Sequence, residues 1–317
     1  MTSFVSTMSM AVPNHIDMSF TSYAQNFEDV MLWRALKHVE KGFYIDVGAA
    51  WPDEHSVTKA FYERGWHGVN IEPNPEFNRQ LEECRVLDKN LRVAVGDREG
   101  AASMNFLGKT GLSTLDDAIA EQHQREGWSL SRQEVQVTTL ADIWRQHVSA
   151  DQEVHFLKID VEGFEEAALQ GNDWGKNRPW IVVVEATLPS SQVESHETWE
   201  PILLAAGYLF SYADGLNRFY VVNEHAELLP AFKYPPNVFD GFMLNSQAQA
   251  EDQANQANER ASLAEAQATQ ANERASLAED QANQANERAS LAEAQATQAN
   301  ERASLAEAQA TQANERA

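Results

Sequence analysis

Residues Gly42 to Ser56 read GFYIDVGAAWPDEHS. An apolar strand runs into an acid, Asp46, then a glycine, Gly48, and a turn. This is the opening of a nucleotide-type binding fold, in which the ligand sits beyond the carboxyl end of the strand. A dinucleotide needs Gly-x-Gly-x-x-Gly here, so that backbone can approach its pyrophosphate. The turn is instead Gly48-Ala49-Ala50-Trp51-Pro52-Asp53. The acids Asp53 and Glu54, at the start of the next helix, would repel a phosphate. The stretch therefore predicts a binding strand for a ligand without phosphate and disfavours a nicotinamide enzyme.

Working outward, helix and strand patterns alternate. SYAQNFEDVMLWRALKHV predicts a helix capped by Ser22, and SVTKAFYERG predicts one ending at Gly65. HGVNIEP, LRVAVGD, AASMNFLG, VHFLKIDVEG and PWIVVVEA read as strands. PEFNRQLEECRVL, TTLADIWRQHV, FEEAALQG and HETWEPILLAAG read as helices. YLFSYADGLNRFYVVN is a hairpin turning at Asp214-Gly215. Such alternation predicts an α/β fold, with helices on both faces of a mostly parallel sheet that has one antiparallel strand.

The five parallel strands are expected to end in acids: Asp46, Glu72-Pro73, Gly96-Asp97, Asp160 with Glu162 after Lys158, and Glu185. Carboxylates gathered at one sheet edge repel each other unless a cationic or polyhydroxylated ligand relieves them. An acid at the end of the second strand suits the two hydroxyls of a ribose. S-adenosyl-L-methionine, with a ribose, an adenine, an amino acid end and a positive sulfonium, meets these requirements.

FYIDVGA, VNIEP, VAVGD, FLKIDVEGFE and VVVE, in this order, resemble the FkbM family of S-adenosylmethionine-dependent methyltransferases; SYAQNFEDVML and SVTKAFYERGWHGVNIEP resemble one branch of it. The resemblance runs from about Ser22 to Leu244, with KIDVEGFE its most specific motif. It implies a class I methyltransferase-type, Rossmann-like, seven-stranded sheet with an antiparallel terminal hairpin. It also implies O-methylation of a hydroxyl on a sugar, glycan or secondary metabolite. By this resemblance Asp46, Gly48 and Ala49 line the methionine and ribose side, and Glu72 with Pro73 holds the ribose. Gly96 and Asp97 lie near the adenine, and Gln25 approaches the cofactor. Asp160 is the first choice for base or acceptor anchor, followed by Glu162 and Glu185. Plainer structural roles stand beside these: a strand-end Asp capping a helix, a helix-entry acid, a turn residue, a loop ordered through Lys158. Where the family has Asn-x-Gly after DVGA, this chain has Ala50-Trp51-Pro52.

The 317 residues carry a formal charge of -24, which disfavours nucleic acid and anionic membrane as partners. Residues 1–20 read as a flexible N-terminus and 21–244 as the methyltransferase-like domain. No secretory signal and no membrane-spanning run are expected in them. With a single cysteine, Cys84, expected to pack within its helix, the expectation is a cytoplasmic protein. Spacing of His, Cys and Asp predicts no metal site. His67 and His155, at strand starts, read as half-buried structural residues, Trp51, Trp66, Trp174 and Trp199 as core, and Thr110 to Thr114 as an acceptor loop or plain turn.

From residue 245 to 317 the composition changes. QANERASLAE recurs at Gln256, Gln270, Gln284 and Gln298, a period of two heptads. Alanines from Ala264 to Ala289 alternate by four and three, with Leu263, Leu277, Leu291 and Leu305 alongside. No Gly or Pro interrupts, so one helix of about 70 residues is expected. It reads either as an alanine-seam coiled coil, for self-association or partner docking, or as a solvated spacer. A methyltransferase-fold scaffold organising partners through that helix is the alternative to an enzyme.

Overall fold

A computed structural model describes residues 20–107, 111, 113–115, 117–125 and 127–314. The expected flexible N-terminus lies outside the described residues except for Phe20. The chain divides into two units after Ala248.

In the first unit, side-chain alternation builds the centre. Strands β1 (Phe20–Ser22), β2 (Phe43–Val47), β3 (His67–Ile71), β4 (Lys89–Leu91) and β5 (Ala94–Val95) are interleaved with helices α1 (Glu28–Leu36), α2 (Lys59–Tyr62) and α3 (Pro75–Cys84). Next come β6 (Gly100–Leu107), α4 (Asp117–Arg125), β7 (Leu130–Thr138), α5 (Leu140–His147), β8 (Phe156–Ile159), α6 (Glu165–Gln170) and β9 (Ile181–Glu185). The unit closes with α7 (Glu200–Ala205), β10 (Tyr208–Ala213), β11 (Asn217–Val222) and β12 (Phe242–Leu244). Phe43, Ile45, Val47, Leu157, Ile159, Val182 and Val184 form one buried layer with Leu140 and Ile143 of α5 and Leu203 of α7. Tyr44, Phe156, Ile181, Val183, Phe219 and Val221 form the opposite layer, with Met31, Leu32 and Leu36 of α1 and Phe61 of α2. Period-two strands thus bury both faces, as a sheet covered on both sides requires.

The seven-stranded sheet has the order β10-β11-β9-β8-β2-β3-β4. β4, β3, β2, β8 and β9 are mutually parallel; β11 is antiparallel to β9 and β10. The sheet is therefore mixed, with one strand reversed by the hairpin at Asp214-Gly215. Asp214 fixes that turn by accepting from the N–H groups of Leu216 and Asn217 at 2.8 and 2.6 Å.

Several local expectations are corrected. LRVAVGD is not one strand: the main-sheet strand ends at Leu91, and Ala94–Val95 joins a separate three-stranded sheet with β6 and β7. Gly96 and Asp97 therefore end no strand of the main sheet. Ser22 is not the cap of α1 but part of β1, paired in parallel with β12. Helix α1 starts at Glu28, after Phe27 at φ 65°. SVTKAFYERG shortens to a four-residue helix, and HETWEPILLAAG splits into a 3₁₀ turn and α7. Cys84 is exposed at the end of α3 rather than packed, because that helix buries only the face of Phe77, Asn78 and Leu81. Trp66 and Trp199 are core residues. His155 is fully buried, accepting from the Phe43 N–H, whereas His67 is exposed.

Helix α8 spans Asn245–Asn314, 70 residues, as the uninterrupted helix-forming composition predicts. Its leucines, Leu263, Leu277, Leu291 and Leu305, are exposed. Among the described residues no helix is long and apolar enough to cross a membrane.

Candidate functional site

The site lies beyond the carboxyl ends of β2, β3 and β8. Gly48, at φ +77°, turns the chain out of β2, and a Cβ placed there would lie 1.8 Å from the Asp160 carbonyl oxygen. Glycine is thus required by the approach of the neighbouring strand's end, not only by a ligand. The Gly48 N–H donates to Ile71 O at 2.9 Å, and its carbonyl accepts from Lys158 Nζ at 2.8 Å. The same ammonium lies 3.5 Å from Asp46 and 3.3 Å from Asp160. Burial pulls the Lys158 pKa down, but Asp160 and Asp46 outweigh it, and the net shift is upward. Lys158 is held charged beneath the turn.

Glu72 fastens the same turn from β3. Its Oε2 accepts from the Ala50 N–H at 2.9 Å and its Oε1 from the Asn74 N–H at 2.7 Å. Ala50 reaches that donor in the left-handed region, at φ 48°. Burial pushes the Glu72 pKa up to about 7, although both N–H donors and Lys158 work against it.

Between these ends opens a cavity of about 280 Å³. Gly48, Ala49, Glu72, Pro73, Asp160 and Glu162 line it, together with Gln25. Val95 of β5 and Met104 of β6 add an apolar wall, and Trp51 closes another side. The sequence reading missed this wall. Val95 and Met104 arrive through the second sheet, whose existence the alternating apolar pattern Leu91, Val93, Val95 conceals. Trp51, expected in the core, packs its ring on Phe77, 4.9 Å between centroids, and also lines the cavity.

Three expected site residues lie elsewhere. Asp46 is buried under the turn, with Oδ2 accepting from the Thr58 hydroxyl at 3.2 Å. Gly96 donates to Thr138 O within the small sheet, and Asp97 is exposed; neither lines the cavity. Within Thr110 to Thr114, Gly111 and Ser113 do line it, while Thr110 and Leu112 lie outside the described residues.

Gln25 is not on a helix but in the loop before α1, which two buried acids shape. Asp29 accepts from the Ser22 hydroxyl and from the N–H groups of Tyr23, Ala24 and Val30, at 2.7 to 3.2 Å. Glu28 accepts from the Asn26 N–H and from Asn217 Nδ2, each at 2.8 Å. The acids of SYAQNFEDVML are therefore the scaffold of the loop that carries Gln25.

On the far side of Asp160 a second cavity, about 500 Å³, shares Gln25, Asp160 and Glu162 with the first and adds Glu185. Glu162 sits at φ 50°, followed by Gly163 at φ +95°, so the segment after β8 turns rather than continuing extended. That turn is held by Glu165, which accepts from the Val161 and Gly163 N–H groups at 3.1 Å, and by the Thr114 hydroxyl, which donates to Glu162 O at 2.8 Å. Asp160, Glu162 and Glu185 each bring an oxygen within 4.8 Å of the others. Burial, then the neighbouring Asp160 charge, raises the pKa of both Glu162 and Glu185. The expectation of no metal site rests on linear spacing, in which this cluster does not register because Glu185 enters from the adjacent strand β9.

A family model described as the Methyltransferase FkbM domain matches residues 46–210, just over half of the chain. No curated protein matches.

Proposed function

The chain belongs to the FkbM methyltransferase family and is a methyltransferase, and from that premise we propose that it uses S-adenosyl-L-methionine to O-methylate a hydroxyl on a sugar, glycan or secondary metabolite. The observation that carries this is the first cavity, whose lining combines the Glu72 carboxylate with the apolar side chains of Val95 and Met104. In this reading Glu72 accepts from the ribose hydroxyls through its remaining lone pairs, and the slot of Val95 and Met104 takes the adenine. Gly48, Ala49 and Gln25 face the methionine end, with the Asp46–Lys158 pair as support beneath. The sheet order, with β11 reversed between β9 and β10, supports a class I methyltransferase-type fold.

Methyl transfer is an in-line displacement. The acceptor oxygen attacks the methyl carbon, the carbon–sulfur bond breaks, and S-adenosylhomocysteine leaves as the hydroxyl proton departs. The enzyme contributes alignment and a group that takes the proton. Asp160 borders both cavities, which suits it to meet the acceptor hydroxyl, with Glu162 and Glu185 beside it. The second cavity, lined largely by polar side chains, suits a polyol acceptor. Helix α8 supports self-association or partner docking through its alanine seam.

Thermal melting with and without S-adenosylmethionine or S-adenosylhomocysteine tests the proposal. A rise with either is expected, and Glu72→Ala is expected to abolish it. No shift with either ligand would refute the cofactor assignment.

A further inference from the structure

The acids at the ends of β8 and β9 are closer than a proton-accepting role alone requires. Asp160, Glu162 and Glu185 stand with one oxygen each inside 4.8 Å. Glu185 is only 7% exposed, and its Oε2 has no hydrogen-bond donor; the buried Oε2 of Glu162 lacks one as well. The nearby ammonium, Lys158, is already engaged by Gly48 O, Asp46 and Asp160. Two buried carboxylate oxygens without a hydrogen-bond donor, beside a third carboxylate and lining one cavity with it, lack a positive ligand.

We propose that Asp160, Glu162 and Glu185 form a binding site for one hard divalent cation of the Mg²⁺ or Mn²⁺ class. All three donors are carboxylate oxygens, the set that such ions select over softer metals. Ligand oxygens about 2.0–2.6 Å from a hard cation stand roughly 3–5 Å from one another, so the observed spacing requires little movement. The remaining coordination positions face the second cavity, beside Thr187 and Ser190, and are filled by water or by oxygens of the acceptor. The cation's place in the reaction rests on the methyltransferase reading. It would hold two neighbouring acceptor oxygens and make the attacking hydroxyl more acidic, so that its proton passes to a carboxylate oxygen of the cluster not bound to the cation as the oxygen takes the methyl group. Cation binding itself requires no cofactor.

The test is titration of the full chain with Mn²⁺, followed by the electron paramagnetic resonance of the free ion. It is run at about 0.15 M salt, which screens the exposed acids of the long helix. One saturable site per chain, displaced by Mg²⁺, is expected. Glu185→Gln is expected to weaken it at least ten-fold, and Asp160→Asn likewise. Because Glu185→Gln keeps the shape of the side chain and adds no charge, the metal-free variant is expected to melt close to the parent, which separates lost binding from lost folding. Absence of a saturable site, or a site unaffected by Glu185→Gln, would overturn the proposal. S-adenosylhomocysteine melting shifts on the same samples keep the two ideas apart. Mn²⁺ binding without a shift removes the cofactor reading and leaves the cation site, and a shift without Mn²⁺ binding does the reverse.

Discussion

Glu72 has both carboxylate oxygens engaged by backbone N–H groups, yet burial still raises its pKa from 4.5 to about 7. Glu28 and Glu165 are likewise raised to about 7, and Asp29 to about 6, in each case by burial first. A carboxyl whose folded pKa lies above its unfolded value binds more protons when folded. Its contribution to stability is full below the unfolded pKa and is lost as pH rises through the folded one. The ligand-free protein is therefore expected to melt highest near pH 5 and about 5 °C or more lower at pH 8. A melting temperature that rises over this interval would contradict the burial of these acids. Gly48 gives a second residue-scale prediction. Gly48→Ala places a Cβ 1.8 Å from Asp160 O at φ +77°, so it is expected to destabilise by about 2–4 kcal/mol in urea unfolding. An unchanged midpoint would contradict the close approach of β2 and β8.

The loop between β1 and α1 owes its shape to Glu28 and Asp29, and through that shape it brings Gln25 to the cavity. Asp29→Ala leaves the Tyr23 and Ala24 N–H groups and the Ser22 hydroxyl without their acceptor. It is expected to weaken S-adenosylhomocysteine binding about ten-fold by calorimetry. Binding at parental strength would mean that the loop does not contribute. At this scale the sequence was informative where pattern and contact coincide. β2, β3, β8, β9 and the β10–β11 hairpin follow directly from apolar runs and turn residues, and Glu72 and Asp160 from their positions at strand ends. It was uninformative where a strand changes partners. From Leu91 to Val95 the apolar pattern continues while the hydrogen bonding passes from β3 to β7, which moved Gly96 and Asp97 out of the expected site and hid Met104. Glu185 was legible as a strand-end acid. Its approach to Glu162 was not, because it depends on the order of β8 and β9 within the sheet and on the turn at Glu162 and Gly163.

For the whole molecule, the net charge of -24 opposes association at low salt, while the alanine and leucine repeat of α8 favours it. At about 0.15 M salt the full chain is expected to sediment as an oligomer, and a chain ending at Ala248 as a monomer. Equal monomeric masses would contradict self-association through the helix. The central claim, that the cavity between Gly48, Glu72 and Met104 binds the methyl donor, is tested most directly by calorimetric titration with S-adenosylhomocysteine. The account predicts one site per chain, with Glu72→Ala losing at least ten-fold in affinity while keeping the fold. No measurable binding by the parent chain, or full affinity in Glu72→Ala, would contradict it.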